Sequence, residues 1–173
     1  VGMVDYDATK ESTAVLQARL ARHVLMKGFQ AGSLVGLVAA VPIQALLGRS
    51  LSLPKAARTA GISSMIGTGL TGAMLASKMQ NIEREGYEDR VYRLYYNEGQ
   101  NRVDEVSGLG VVLGLAGSFI CARMGLIPLS GMHLIGGAAA GSTIGVLAAV
   151  ATMPPKAPKQ SVNIVMEQIK PSS

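Results

Sequence analysis

Residues 106–123 read VSGLGVVLGLAGSFICAR, and residues 131–151 read GMHLIGGAAAGSTIGVLAAVA. Only Arg123, at the end of the first run, carries a full charge. A helix needs about 20 apolar residues, at 1.5 Å each, to cross a ~30 Å hydrocarbon core. Two further runs share this character. No charge falls between Lys27 and Arg49, or between Arg58 and Lys78. The spacing predicts four spans near residues 28–48, 60–78, 106–125 and 131–152. The third is short, but Arg123 can snorkel to the headgroups.

Composition agrees with that reading. Of 173 residues, 49% are hydrophobic and 16% charged, against about 25% charged for a soluble domain. Disorder, a disulfide scaffold and a soluble coiled coil are excluded. A soluble bundle would need more polar surface than four all-round apolar helices leave. The net charge of +5 comes with two Phe and no Trp, which disfavours nucleic acid and suits an anionic bilayer surface. Bound phospholipid, cardiolipin included, is the one ligand this leaves open. No secretory signal pattern opens the sequence.

Prolines mark the boundaries. Pro54 suits a first helical turn, Pro128 separates spans three and four, and Pro154, Pro155 and Pro158 open a polar tail over 153–173. Pro42 falls inside span one and predicts a kink there. Before that span, residues 1–27 form an N-terminal segment. Leu16, Leu20 and Val24 line one face of it and Arg19 and Arg22 lie off that line, which predicts an amphipathic helix. That helix lies in the membrane interface or packs on a neighbour.

The one long polar stretch, 79–105, sits between spans two and three. It holds seven acids, Arg102 with Asp104 among its charges, and four of the five tyrosines: Tyr87, Tyr92, Tyr95 and Tyr96. Tyrosine favours a membrane–water boundary. These residues, with Arg19, Arg22 and Arg123, are the expected interface anchors. A subunit contact and a solvated face remain alternatives for this stretch. With four spans, both termini and this stretch share a side carrying 12 of the 16 Lys and Arg. The positive-inside rule would turn that side inward.

Small residues recur every fourth position on each span. They are Gly28, Gly32 and Gly36; Ser64, Thr68, Gly72 and Ala76; Gly110, Gly114, Ser118 and Ala122; and Gly137, Gly141 and Gly145. Such ladders let helices approach closely where lipid is as apolar as leucine. The expected fold is therefore all-α: an integral membrane domain over 28–152, with four transmembrane helices packed through glycine ladders and an N-terminal amphipathic helix. A glycine-lined pore is the alternative use. It would want polar residues at depth, where only Gln44, a few Ser and Thr, and His133 are on offer.

Catalytic chemistry is not legible. His23, His133 and Cys121 have no metal-ligand spacing, no phosphate loop or nucleophile elbow occurs, and no carboxylate falls mid-span. No cofactor or metal is expected.

Four close spans, small-residue ladders and a polar centre together resemble the mitochondrial inner-membrane translocase superfamily. The most local likeness is Arg102-Val103-Asp104 followed by Gly108, Gly110 and Gly114, although Ser107 stands where that superfamily carries asparagine. The superfamily includes plastid amino-acid pores and a four-helix accessory subunit of respiratory complex I. The resemblance implies a multi-pass protein of the mitochondrial inner membrane, serving as a structural accessory subunit among the other membrane subunits of a respiratory complex. A component of a protein translocase, or a small-solute channel, is equally permitted. In translocase members the termini face the intermembrane space, opposite to the side the charge count favours.

Overall fold

The structure, a computed structural model, describes residues 6–154, and every regular element among them is helical. The tail that follows Pro154 lies outside the described residues. A short 3-10 turn, Ala8–Lys10, precedes α1 (Thr13–Leu34). Helix α1 continues through a π-helical segment, Val35–Ala40, into α2 (Val41–Leu46). Then come α3 (Leu53–Met79), α4 (Arg84–Tyr95), α5 (Glu98–Arg123) and α6 (Gly131–Ala151).

Local chemistry explains the boundaries. The Ser12 hydroxyl accepts from the Val15 amide and caps α1, and Asn97 does the same for α5 through Gln100. Pro54 occupies the first turn of α3, where its missing N–H costs nothing. Gly48 and Gly125 end α2 and α5 at φ of 71° and 74°, a left-handed conformation that a Cβ would oppose.

Pro42 acts just upstream of itself. It offers no N–H to the Val38 carbonyl one turn back. The chain widens before it, and the Val41 amide bonds to the Gly36 carbonyl five residues back. The N-terminal segment is thus not a separate helix laid beside the bundle. It is the lower part of one unbroken helical path, Thr13–Leu46.

Among the described residues, three helices are long and apolar enough to cross a bilayer: Thr13–Leu46, α5 and α6. The fourth long helix, α3, carries Lys55, Arg58 and Lys78 near its ends and Ser63, Ser64, Thr68 and Thr71 between them.

Burial is inverted relative to a soluble domain. Ser33, Ser64, Ser107, Ser142 and Thr143 are buried, while Val38, Leu46, Leu70, Leu113, Ile120 and Ile144 are exposed. That pattern suits a molecule whose surroundings are as apolar as its side chains.

The helices pack in the order α1, α3, α6, α5. A Cβ added at Gly28, Gly32 or Gly36 would strike Gly67, Ser63 or Ala60 of α3, so α1 and α3 run antiparallel. One added at Gly110 or Gly114 would strike the carbonyl of Gly141 or Gly137, so α5 and α6 are antiparallel too. Helix α4 lies against the lower part of α1. Tyr87 and Val91 cover Leu16 and Leu20 there, with Ala8 completing a small core.

Candidate functional site

Helices α1 and α5 meet through side chains, and these form the densest polar cluster among the described residues. Asp104 Oδ1 accepts from Lys27 Nζ at 2.6 Å and from Gln30 Nε2 at 3.2 Å. Asp104 Oδ2 lies 2.9 Å from His23 Nδ1. The Gln30 amide also donates to Ser107 Oγ at 2.6 Å, and Gln100 Nε2 lies 3.2 Å from His23 Nε2. The tautomer with its proton on Nδ1 satisfies both histidine contacts.

Three of these bonds (His23–Gln100, Lys27–Asp104 and Gln30–Ser107) span the same 77 residues of sequence. Equal separations mean that α1 and α5 run parallel and in register. The cluster is a clasp that fixes their relative height. Its members are half-buried or buried, with Gln30 and Ser107 fully covered. In that setting charge-assisted hydrogen bonds hold more strongly than at an open surface.

Arg102 stands outside the clasp and donates to the Thr152 hydroxyl at 3.0 Å, joining the start of α5 to the end of α6. Arg123 is exposed at the far end of α5.

The tyrosines divide. Tyr87 is buried, and its hydroxyl donates to the Met79 carbonyl at 3.0 Å. Tyr95 stacks on Tyr6 with centroids 4.4 Å apart, Tyr92 lies 4.6 Å from Tyr96, and the Tyr96 hydroxyl accepts from the Tyr6 amide. Arg19 covers the Tyr6 ring and pairs with Glu11 at 2.7 Å. Burial and the hydrogen bond to the Glu11 carboxylate push the Tyr6 phenol above its usual range. Asp7 is held below its usual range by the hydroxyl and amide of Thr9. Arg22 is exposed and forms no ion pair among the described residues.

The small residues also divide. Gly28, Gly32, Gly36, Gly110, Gly114, Gly137, Gly141 and Gly145 all lie where a Cβ would meet a neighbouring helix. Gly72 meets only a Leu25 methyl at 3.3 Å, and Thr68 turns its hydroxyl onto the Ser64 carbonyl of its own helix. The close contacts of α3 instead use Gly61, against Met132 of α6, and Gly67, against Gly28 and Gly32 of α1. Gly136 meets Ala57.

Sequence reading picked out Asp104 but not its partners. A signal was present: His23, Lys27 and Gln30 repeat the spacing of Gln100, Asp104 and Ser107, namely i, i+4 and i+7. Two matching polar stripes on neighbouring helices are candidates for mutual bonding.

Two grooves flank these contacts. One, of about 600 Å³, is almost wholly apolar and runs along α5 and α6 between Val106 and Ala148. The other, of about 840 Å³, opens beside the clasp between α1 and α5.

No curated protein matches the chain. A family described as a protein of unknown function (DUF1757) matches residues 15–153. That range begins two residues inside α1 and runs past the end of α6, and the chain belongs to the DUF1757 family.

Proposed function

We propose that this chain is a non-catalytic accessory subunit of a mitochondrial inner-membrane respiratory complex, NADH:ubiquinone oxidoreductase (complex I) foremost. Its work is scaffolding: the bundle offers apolar faces to neighbouring membrane helices, and the α4 side offers polar contacts. Four crossings complete this reading. Helices α1 and α5 run parallel, so α3 carries the chain back across the bilayer between them despite its hydroxyl content.

The observation that carries the scaffolding reading is where the mid-helix polar groups point. A conducting or translocating groove needs them converged on one hydrated face. Thr68 and Thr71 bond to carbonyls of their own helix, and so does Ser118. Gln44 is spent on Thr59 near the opposite end from the clasp. Ser142 and Thr143 are buried among helices. Three of these groups are satisfied within their own helices, and the Ser142 and Thr143 hydroxyls lie buried without a hydrogen-bond partner among the described residues, so the set does not converge on one hydrated face. The respiratory assignment rests on the superfamily resemblance, and the DUF1757 match neither names a complex nor assigns a role.

The test is native-gel separation of gently solubilised membranes, with mass spectrometry of the band containing the chain. Co-migration with NADH-oxidising activity near a megadalton is expected. Co-migration with presequence-import components, or solute flux from liposomes carrying the isolated protein, would replace this reading with the translocase or channel.

A further inference from the structure

Charge is divided unevenly between the two ends of the bundle. At the α4 end, nine Lys and Arg share the surface with all nine of the described Asp and Glu, and every ion pair among the described residues lies there. The opposite end, built by the α2–α3 and α5–α6 turns, carries Arg49, Lys55, Arg58 and Arg123 and no acid. All four are exposed. Lys55 donates to the carbonyl and hydroxyl of Ser50, and the other three side chains form no hydrogen bond among the described residues.

These cations stand at nearly one height. The 77-residue register sets Arg123 level with Leu46. Arg58 adjoins Thr59, whose hydroxyl meets the Gln44 amide at 3.1 Å, and Lys55 reaches Ser50, the neighbour of Arg49. Gln44 to Arg49 is at most about 8 Å at helical rise. The same turns expose large apolar side chains: Leu46, Leu47, Leu51, Met124, Leu126 and Leu129. They close the apolar helices Thr13–Leu46, α5 and α6. Turns that show so much apolar surface at the ends of such helices belong in the interfacial layer of a bilayer rather than in water. Long basic side chains rooted at that depth reach outward to the phosphates.

We infer that this end of the bundle docks on anionic glycerophospholipids. Arg49, Lys55, Arg58 and Arg123 reach out to the lipid phosphates, and the leucines of the two turns lie among the upper acyl chains. No described acid at this end repels a headgroup of net negative charge, and none holds the ammonium of a zwitterionic one. An acidic protein segment would match the cations but offer no hydrocarbon to the leucines. The end with fewer basic residues is thus the one that selects anionic lipid, because at the α4 end acids offset the bases. The inference rests on these helices spanning a bilayer and stands or falls separately from the subunit assignment.

The experiment equilibrates the purified full chain with mixed micelles holding equal phosphatidylethanolamine, phosphatidylglycerol and cardiolipin. Size exclusion and native mass spectrometry then count the lipid retained. Wild type is expected to keep the two anionic lipids in preference to phosphatidylethanolamine. The fourfold variant Arg49→Gln/Lys55→Gln/Arg58→Gln/Arg123→Gln should abolish that preference. The matched variant Arg22→Gln/Lys78→Gln/Arg90→Gln/Arg102→Gln removes the same charge from the α4 end and should keep it. Single variants Arg49→Gln, Arg58→Gln and Arg123→Gln cover the case in which the fourfold variant does not fold. Each should lower the preference by up to about fivefold, the worth of one cation at an anionic lipid surface. Equal loss in the two fourfold variants would make net charge, not this end, the cause and overturns the proposal. Equal retention of all three lipids by wild type overturns it as well. So does displacement of the bound lipid by polyglutamate, which carries charge without acyl chains and would point to an acidic protein partner.

Discussion

Asp104 accepts on both carboxylate oxygens, from three side chains of α1. Removing it leaves an ammonium, an imidazole and an amide facing each other in a half-buried seam. Breaking one side of a fully buried pair costs about 3–5 kcal/mol. Here Asp104 and Lys27 keep 25% and 29% side-chain exposure, so Asp104→Ala should cost about 1–3 kcal/mol, discounted for solvent screening. Asp104→Asn should cost less, because its carbonyl still accepts. The double variant Lys27→Met/Asp104→Leu should recover most of the loss, since both charges go together. Denaturation in mixed micelles, followed by circular dichroism, reads all three. Equal losses for Asp104→Ala and the double variant would mean that the clasp residues act only through packing.

Elements are held by backbone approach more than by side-chain mass. At the α5–α6 seam a Cβ on Gly141 would run into Gly110 and Gly114. Overpacking of this kind costs about 1–3 kcal/mol. Gly117 lies on the same α5 helix with nothing within 4 Å of its added Cβ. An alanine there should be neutral or stabilising by up to about 1 kcal/mol, the usual helix-propensity gain. Gly141→Ala is therefore expected to lower the midpoint of thermal unfolding and Gly117→Ala to leave or raise it. The same midpoint shift in both would remove the seam as the cause. Helix α4 is held differently. Its anchor is the ring of Tyr87 against Leu16 and Leu20, a soluble-type core under a membrane-type bundle.

At the scale of the whole molecule, the parallel register of α1 and α5 sets the topology. The turns near 49–52 and 124–130 fall at one end of the bundle, and α4 at the other. In a Cys121→Ser background, Ser50→Cys and Leu129→Cys should react with an impermeant thiol reagent from one side of sealed vesicles. Arg93→Cys should react only from the other. Labelling of residues 50 and 129 from opposite sides would rule out four crossings. The same experiment, on vesicles of known sidedness, decides between the charge count and the superfamily resemblance on orientation.

Much of this was legible in the residues. Charge-free runs placed α3, α5 and α6 to within about two turns, because a helix that carries no charge for 17 residues or more has few other uses, but not the start of α1, which lies at Thr13, well before the run that opens at Gly28. Pro54 marked the first turn of α3, and Pro128 the break between α5 and α6. Gly28, Gly32 and Gly36 could be read as a packing face because each is small and spaced close to one turn. The choice among the small residues of α3 could not be read in the same way. Ser64, Thr68 and Gly72 continue a four-residue repeat as well as Ala60, Ser64, Gly67 and Thr71 follow the mixed 4-3-4 spacing that actually meets α1. Which line is used depends on the angle at which α1 crosses, and that angle belongs to the pair of helices. The apolar line Leu16–Leu20–Val24 announces a buried face but not its partner, and here the partner is α4 rather than lipid. Asp104 is charged in any conformation, yet it becomes part of a clasp only when α5 stands beside α1 with its register offset by 77 residues. Sequence by itself determined the apolar runs and the proline-marked boundaries, which are local properties of the chain. The tertiary structure alone decided which faces meet, since that choice is made by contacts between segments far apart in the chain.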